Sequence, residues 1–185
     1  MTTRTPKKSV VKAPLKPENS LYNFQDHSKF AVRLDIPTFS INSMFNCGNA
    51  RLGKSAGAQD WTLNAFYELS KYEALFIGMR SVFDPLLHYY SVKLHAHYPI
   101  KQFQAKGSGI SQRTHDLSNF EKPLIDLIFL AKHCEYAVPY GCQNLCIDDK
   151  YVAELLSTKR ATTEDKPFIL VDIEIKFLSE LVGNN

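Results

Sequence analysis

The sequence predicts a small α/β domain of the α+β kind, a mixed β-sheet with helices packed on it, and three observations carry that prediction. In residues 89–99, Tyr90, Val92, Leu94, Ala96 and Tyr98 alternate with Ser91, Lys93, His95 and His97, the period of two that a strand imposes. Residues 168–177 repeat the pattern, with Ile169, Val171, Ile173, Ile175 and Phe177 on one side. Two other stretches, 60–78 and the one after Asp116, place apolar residues at the three- and four-residue steps of a helix.

Size and charge set the frame for these elements. At 185 residues, 44% hydrophobic and 12% aromatic, the chain can bury one core and calls for one domain. The net charge of +3 is unevenly spread: residues 1–17 hold five of the 22 basic residues and no acid, which leaves 17 basic against 19 acidic groups in the rest. Residues 1–28 therefore read as a flexible basic arm, either a solubilising tail or a source of non-specific attraction to phosphates. Residues 29–178 read as the folded domain and 179–185 as a frayed tail. No run near the N-terminus has the character of a signal peptide and none approaches the roughly 20 apolar residues of a membrane span. Cys47, Cys134, Cys142 and Cys146 contain no CxxC pair, so a reducing, cytoplasmic setting is expected. The last three with His133 admit a zinc reading, but their spacing matches no common zinc module, and idle or buried thiols are the alternative.

Taken in order, 30–36 alternates as a first strand that Pro37 ends. Residues 37–46 and the Gly-rich 48–57 carry turn chemistry and read as one long loop. Gly53-Lys54-Ser55 lacks the upstream glycine of a Walker motif, so Arg51 and Lys54 are kept only as candidate contacts to a nucleic-acid backbone. In 60–78, Asp60 is the expected N-cap, Gly78 the expected stop, and Trp61 a packing anchor. The strand at 89–99 is expected to have one wet face, on which His95 and His97 are either a metal-binding pair or two exposed histidines. Residues 100–114 hold Lys101, Lys106 and Arg113 with no acid, which suits a mobile loop that clamps phosphate.

That loop leads into His115-Asp-Leu-Ser-Asn-Phe-Glu-Lys122, and the acidic pair Asp148-Asp149 follows. Leu117, Phe120, Leu124, Leu127, Ile128 and Ala131 follow helical spacing, while Asn119, Lys122 and Asp126 share another face. Ser118 and Glu121 have the spacing of a capping box, which would start the helix at Ser118. Pro123 then falls just past the turn that tolerates a missing N–H, so an irregular first turn is expected.

The ordered set of Asp116-Leu-Ser-Asn-Phe-Glu-Lys122, Asp126, Ile147-Asp148-Asp149 and the closing strand 168–177 resembles the RusA-type Holliday junction resolvases. Pro37 followed by Ser40-Ile-Asn42 is similar to that family's element after its first strand, and the resemblance covers roughly 30–177. It implies a RusA-like fold with a strand in 151–160, and Asp116 and Asp149 as ligands of catalytic Mg²⁺, with Mn²⁺ as a substitute. Lys122 is implied as the catalytic lysine. Asp148 and Asp126 are implied as supporting groups, and Asn119 as a residue that positions the turn or the DNA. The implied activity is Mg²⁺-dependent endonucleolytic cleavage of four-way or other branched DNA by a homodimer, in a bacterial or phage-infected cell. Ser118 stands where well-known members carry a second aspartate, and a serine or water contact to the metal is the expected substitute. Residues 130–146 exceed the family's short step to the acidic pair. The alternative is a RusA-like protein that binds DNA or a partner and cuts weakly or not at all.

Overall fold

The computed structural model describes residues 24–40, 42, 45–48, 51–104, 109–111, 114, 116–129, 145 and 147–182, with 45–48 and 51–54 described in their backbone alone. A four-stranded mixed sheet forms the centre, as the alternating stretches predict. Its strands are β1 (Lys29–Leu34), β4 (His88–Pro99), β5 (Val152–Thr162) and β6 (Phe168–Phe177), in the order β1-β6-β4-β5. β6 runs antiparallel to both β1 and β4, and β5 runs parallel to β4. A parallel neighbour needs a crossover, and the helix α5 (Leu117–Phe129) lies within it. That crossover carries the acidic motif.

One face of the sheet builds the core. Val32 and Leu34 from β1, Tyr90, Val92, Leu94 and Ala96 from β4, and Ile169, Val171 and Ile173 from β6 are buried against helices. The helices contribute Trp61, Ala65, Phe66 and Leu69 from α2 (Ala56–Ser70), Phe76 and Met79 from α3 (Glu73–Val82), and Phe120, Leu124 and Ile128 from α5. Each fully buried apolar side chain contributes about 1.5–3 kcal/mol, and entropy offsets most of the total.

Several expected boundaries differ. The predicted helix 60–78 is two helices: Ser55 caps α2 by accepting a hydrogen bond from the Ala58 N–H at 3.1 Å, so Asp60 lies inside α2. Gly78 sits inside α3 rather than ending a helix, and a Cβ there would collide with the His27 ring. The smallest side chain is what lets α1 (Phe24–His27) pack on α3. Part of the expected loop is a hairpin of β2 (Phe45–Gly48) and β3 (Arg51–Lys54), whose antiparallel pairing satisfies the backbone. Helical turns also occupy Phe24–His27, at the end of the stretch read as an arm, and Leu178–Leu181, at the start of the expected tail. A short helix α4 (Ile100–Phe103) follows β4 directly.

The expected wet face of β4 is mostly covered. Ser91 and His95 are buried because long side chains of β5 and β6 close over them. His95 Nδ1 lies 2.7 Å from Thr158 Oγ1, and its Nε2 lies 3.6 Å from Asp172. Burial lowers its pKa first, helped by Arg160. His97 stacks on Phe168 at 4.4 Å, and the Arg33 guanidinium lies 3.8 Å from the centre of that same ring. The two histidines are therefore not a pair of freely exposed side chains: His95 is held by Thr158 and Asp172, and His97 packs on Phe168. Among the described residues no helix is long and apolar enough to cross a membrane.

Candidate active site

Helix α5 begins directly after Asp116, and the Asn119 N–H donates to the Asp116 carbonyl at 3.1 Å. Asp116 thus stands in the N-cap position, and Ser118 is the second helical residue, exposed. The expected start at Ser118 is one turn-position late: a residue already inside the helix has no free first-turn N–H ahead of it to cap. The helix continues through Pro123, its seventh residue, which is buried. Pro123 lacks the N–H that would bond the Asn119 carbonyl, so the missing backbone bond falls in the second turn, beside Lys122, rather than in the expected irregular first turn.

The other half of the site comes from the end of the crossover. The backbone N–H groups of Leu145 and Ile147 donate to the carbonyls of Ile128 and Phe129 at 2.9 and 3.0 Å. These bonds tie the incoming chain to the C-terminal turn of α5. Asp148 then caps a 3₁₀ turn, Asp149–Tyr151, by accepting from the Lys150 N–H at 3.0 Å, and β5 follows. Phe83 anchors that turn through an edge contact with Tyr151 and stacks on Tyr90 of the sheet.

The two halves meet at Lys122. Its ammonium donates a hydrogen bond to Asp149 Oδ2 at 2.6 Å and forms an ion pair with Asp126 Oδ1, also at 2.6 Å. Asp126 lies four residues along α5, the spacing that puts two side chains on one face. Its Oδ1 is shielded from solvent, whereas the lysine is half exposed. The Asp126 and Asp149 carboxylates raise the Lys122 pKa, and Lys122 holds that of Asp149 below its ordinary value. Asp148, more exposed, pairs at 3.7 Å with Lys150.

The structure thus brings Lys122, Asp126 and Asp149 into contact, with Asp148 adjacent. Asp116 lies six residues before Lys122, about 9 Å along the helix axis. Among the described residues no group of three or more His, Cys, Asp or Glu side chains gathers closely enough to hold a metal. Chemically the donor set still fits Mg²⁺ or Mn²⁺: the candidates are carboxylates and a hydroxyl, all hard oxygen donors. Mg²⁺ is commonly held by one or two carboxylates, with waters and substrate phosphates completing its shell.

Of the expected DNA contacts, Lys101 is exposed on α4, and Asn119 is half-buried in the first turn of α5. Arg51 and Lys54 are the end residues of β3, opposite Gly48 and Phe45. Lys106, Arg113, His115 and the cysteines and histidine of the zinc reading at 133–146 lie outside the described residues. The grip of Asp126 on Lys122 had a readable signal, the i,i+4 spacing on one helix. The network of Glu154 with Tyr89 and Lys176 had none, because it joins three strands. No family model matches the chain, and no curated protein matches its sequence.

Proposed function

We propose that this chain is a structure-selective DNA endonuclease of the RusA type, which cuts four-way or other branched DNA by metal-assisted phosphodiester hydrolysis. The observation that carries the reading is the convergence of Lys122 and Asp149, 27 residues apart, at the meeting of α5 and the turn before β5. Asp149 and Asp116, with Asp148, the chain neighbour of Asp149, in support and Ser118 through its hydroxyl or a water, would be the groups to hold Mg²⁺. When bound, the ion would polarise the scissile phosphate and make bound water a stronger nucleophile. Lys122 supplies the positive charge that meets the phosphate as negative charge builds on its oxygens, and Asp126 keeps that ammonium on the acidic side of the site. Asn119 and Lys101 would contact the DNA. Phosphate arriving at Lys122 competes with Asp149 for the ammonium, which frees a carboxylate oxygen for the metal.

Incubation with Mg²⁺ and either a four-way junction or a linear duplex tests this reading. Paired nicks in the junction and none in the duplex are expected; no junction cleavage, or equal cleavage of both, sinks it. A second reading has its own support. Lys122 is already neutralised by two carboxylates, as suits a RusA-like protein that holds DNA without cutting it. That reading predicts tight junction binding with no Mg²⁺ requirement and no nicks.

A further inference from the structure

In β5, Glu154 bonds Tyr89 and Lys176, and Thr158 bonds His95, all on the sheet face away from the core. Side chains alternate along a strand, so Lys159 takes the other face, the one on which α5 packs. There its ammonium donates to Thr114 Oγ1 at 3.4 Å. Thr114 is buried and fixed, its hydroxyl and its N–H both donating to the Ser111 carbonyl, at 2.9 and 3.2 Å. It stands two residues before Asp116, a span of at most about 7 Å. In chain order Asp116 therefore lies between two ammonium groups, Lys159 held just before the helix start and Lys122 inside the helix. Their surroundings differ. Lys122 is matched by Asp126 and Asp149, and Lys29, Lys71, Lys150 and Lys176 each pair with a carboxylate. Lys159 is half-buried, and among the described residues its partner is a hydroxyl, which carries no charge. An ammonium drawn partly out of water without an anion is costly, and its three N–H donors leave two for a further acceptor.

We propose that Lys159 is a second phosphate-binding residue, which holds the phosphate next to the one that meets Lys122, on the far side of Asp116. The inference rests on the nucleic-acid reading of the site and adds a path to it: the bound strand crosses the start of α5, from Lys122 past Asp116 to the end of β5. The bond to Thr114 sets where the Lys159 ammonium stands, so the contact fixes the position of the backbone and reads no base.

The test is the salt dependence of four-way-junction binding by the full chain, measured without divalent ions so that nothing is cut. Each phosphate contact contributes about 0.9 to the slope of log affinity against log salt. Lys159→Gln is expected to lower that slope by about 0.9, and Lys159→Arg, which keeps the charge, to restore it. Lys93→Gln, exposed on the opposite face of the sheet, is expected to leave the slope unchanged. Melting followed by circular dichroism checks folding, and Lys159→Met, which keeps the aliphatic stem, replaces the glutamine variant if that one is unfolded. A lysine that only braces Thr114 would alter melting and leave the slope alone. A folded Lys159→Gln or Lys159→Met with the wild-type slope, or an equal loss in Lys93→Gln, overturns the proposal. Single-turnover cleavage in Mg²⁺ at saturating junction separates the neighbouring phosphate from the reacting one. A rate within about threefold of wild type is expected for Lys159→Gln, whereas a loss of about 100-fold would put Lys159 on the reacting phosphate and overturn the placement. If wild type binds the junction without cutting it, the nuclease reading falls and the slope still decides for or against Lys159. If wild type cuts and the slope is unchanged in Lys159→Gln, this inference falls alone; no junction binding by wild type overturns both.

Discussion

Lys122 is the side chain on which the two halves of the candidate site meet. Its pKa is raised by Asp126 and Asp149, so its stabilising contribution is full below the unfolded value of about 10.4 and is lost as pH rises through the higher folded value. Asp149 is shifted down, so its contribution is present above the unfolded value of about 3.9 and is lost as pH falls through the lower folded value. Both signs agree on a window between roughly pH 4 and 10. Because the lysine is half exposed, the contact is worth at most about 1 kcal/mol. Urea unfolding of wild type and Lys122→Met is expected to differ most near neutrality and to converge at both extremes. Ser118→Asp adds a carboxylate to the first turn of α5, where the helix dipole favours it by about 0.3–1 kcal/mol. Tighter Mn²⁺ binding by this variant, read from paramagnetic broadening, is expected; unchanged broadening would place residue 118 away from the ion. The Lys122 to Asp126 contact was legible in the sequence because both lie on one helix. Nothing local in the sequence joins Asp149 to Lys122, and only the resemblance paired them. His95 and His97 were misread for a related reason: alternation says which face a side chain takes, and the covering side chains belong to other strands.

At the scale of the element, β6 occupies the predicted residues, and β4 begins one residue early. Strong alternation over ten residues leaves little freedom in register. Helix ends were less legible, because Ser55 outcompeted Asp60 as a cap and the turn at Lys71 and Tyr72 carries neither glycine nor proline. The hairpin of β2 and β3 hid inside turn-rich sequence with only four residues per strand. Pro123 is the costliest choice in α5, since proline inside a helix is about 3 kcal/mol less favourable than alanine. Some of this is offset by its burial. Pro123→Ala is expected to raise stability by about 1–2 kcal/mol in urea unfolding and to slow junction cleavage by changing the local turn beside Lys122. Higher stability with unchanged cleavage would mean that the proline has no part in aiming the lysine. Gly78→Val is expected to push His27 away and undock α1. Faster hydrogen exchange at residues 25–28, with the sheet unchanged, would show it.

At the scale of the molecule, the crossover between parallel β4 and β5 does what no single element does. It carries Asp116 at the start of its helix and Asp148 and Asp149 at its return, and it folds the second group back onto Lys122. The α+β class was legible because composition and two kinds of periodicity agree. The order of strands was not, since pairing is a property of the whole sheet. The central claim is that Lys122 and Asp149 form a cutting site rather than a surface ion pair. The most direct measurement is single-turnover cleavage of a four-way junction in Mg²⁺ by wild type and Asp149→Asn, with junction binding measured alongside. Binding unchanged and cleavage reduced at least about 100-fold is the expected result for loss of a metal-binding or charge-stabilising group. Equal cleavage by the two proteins, or none by wild type, would contradict it.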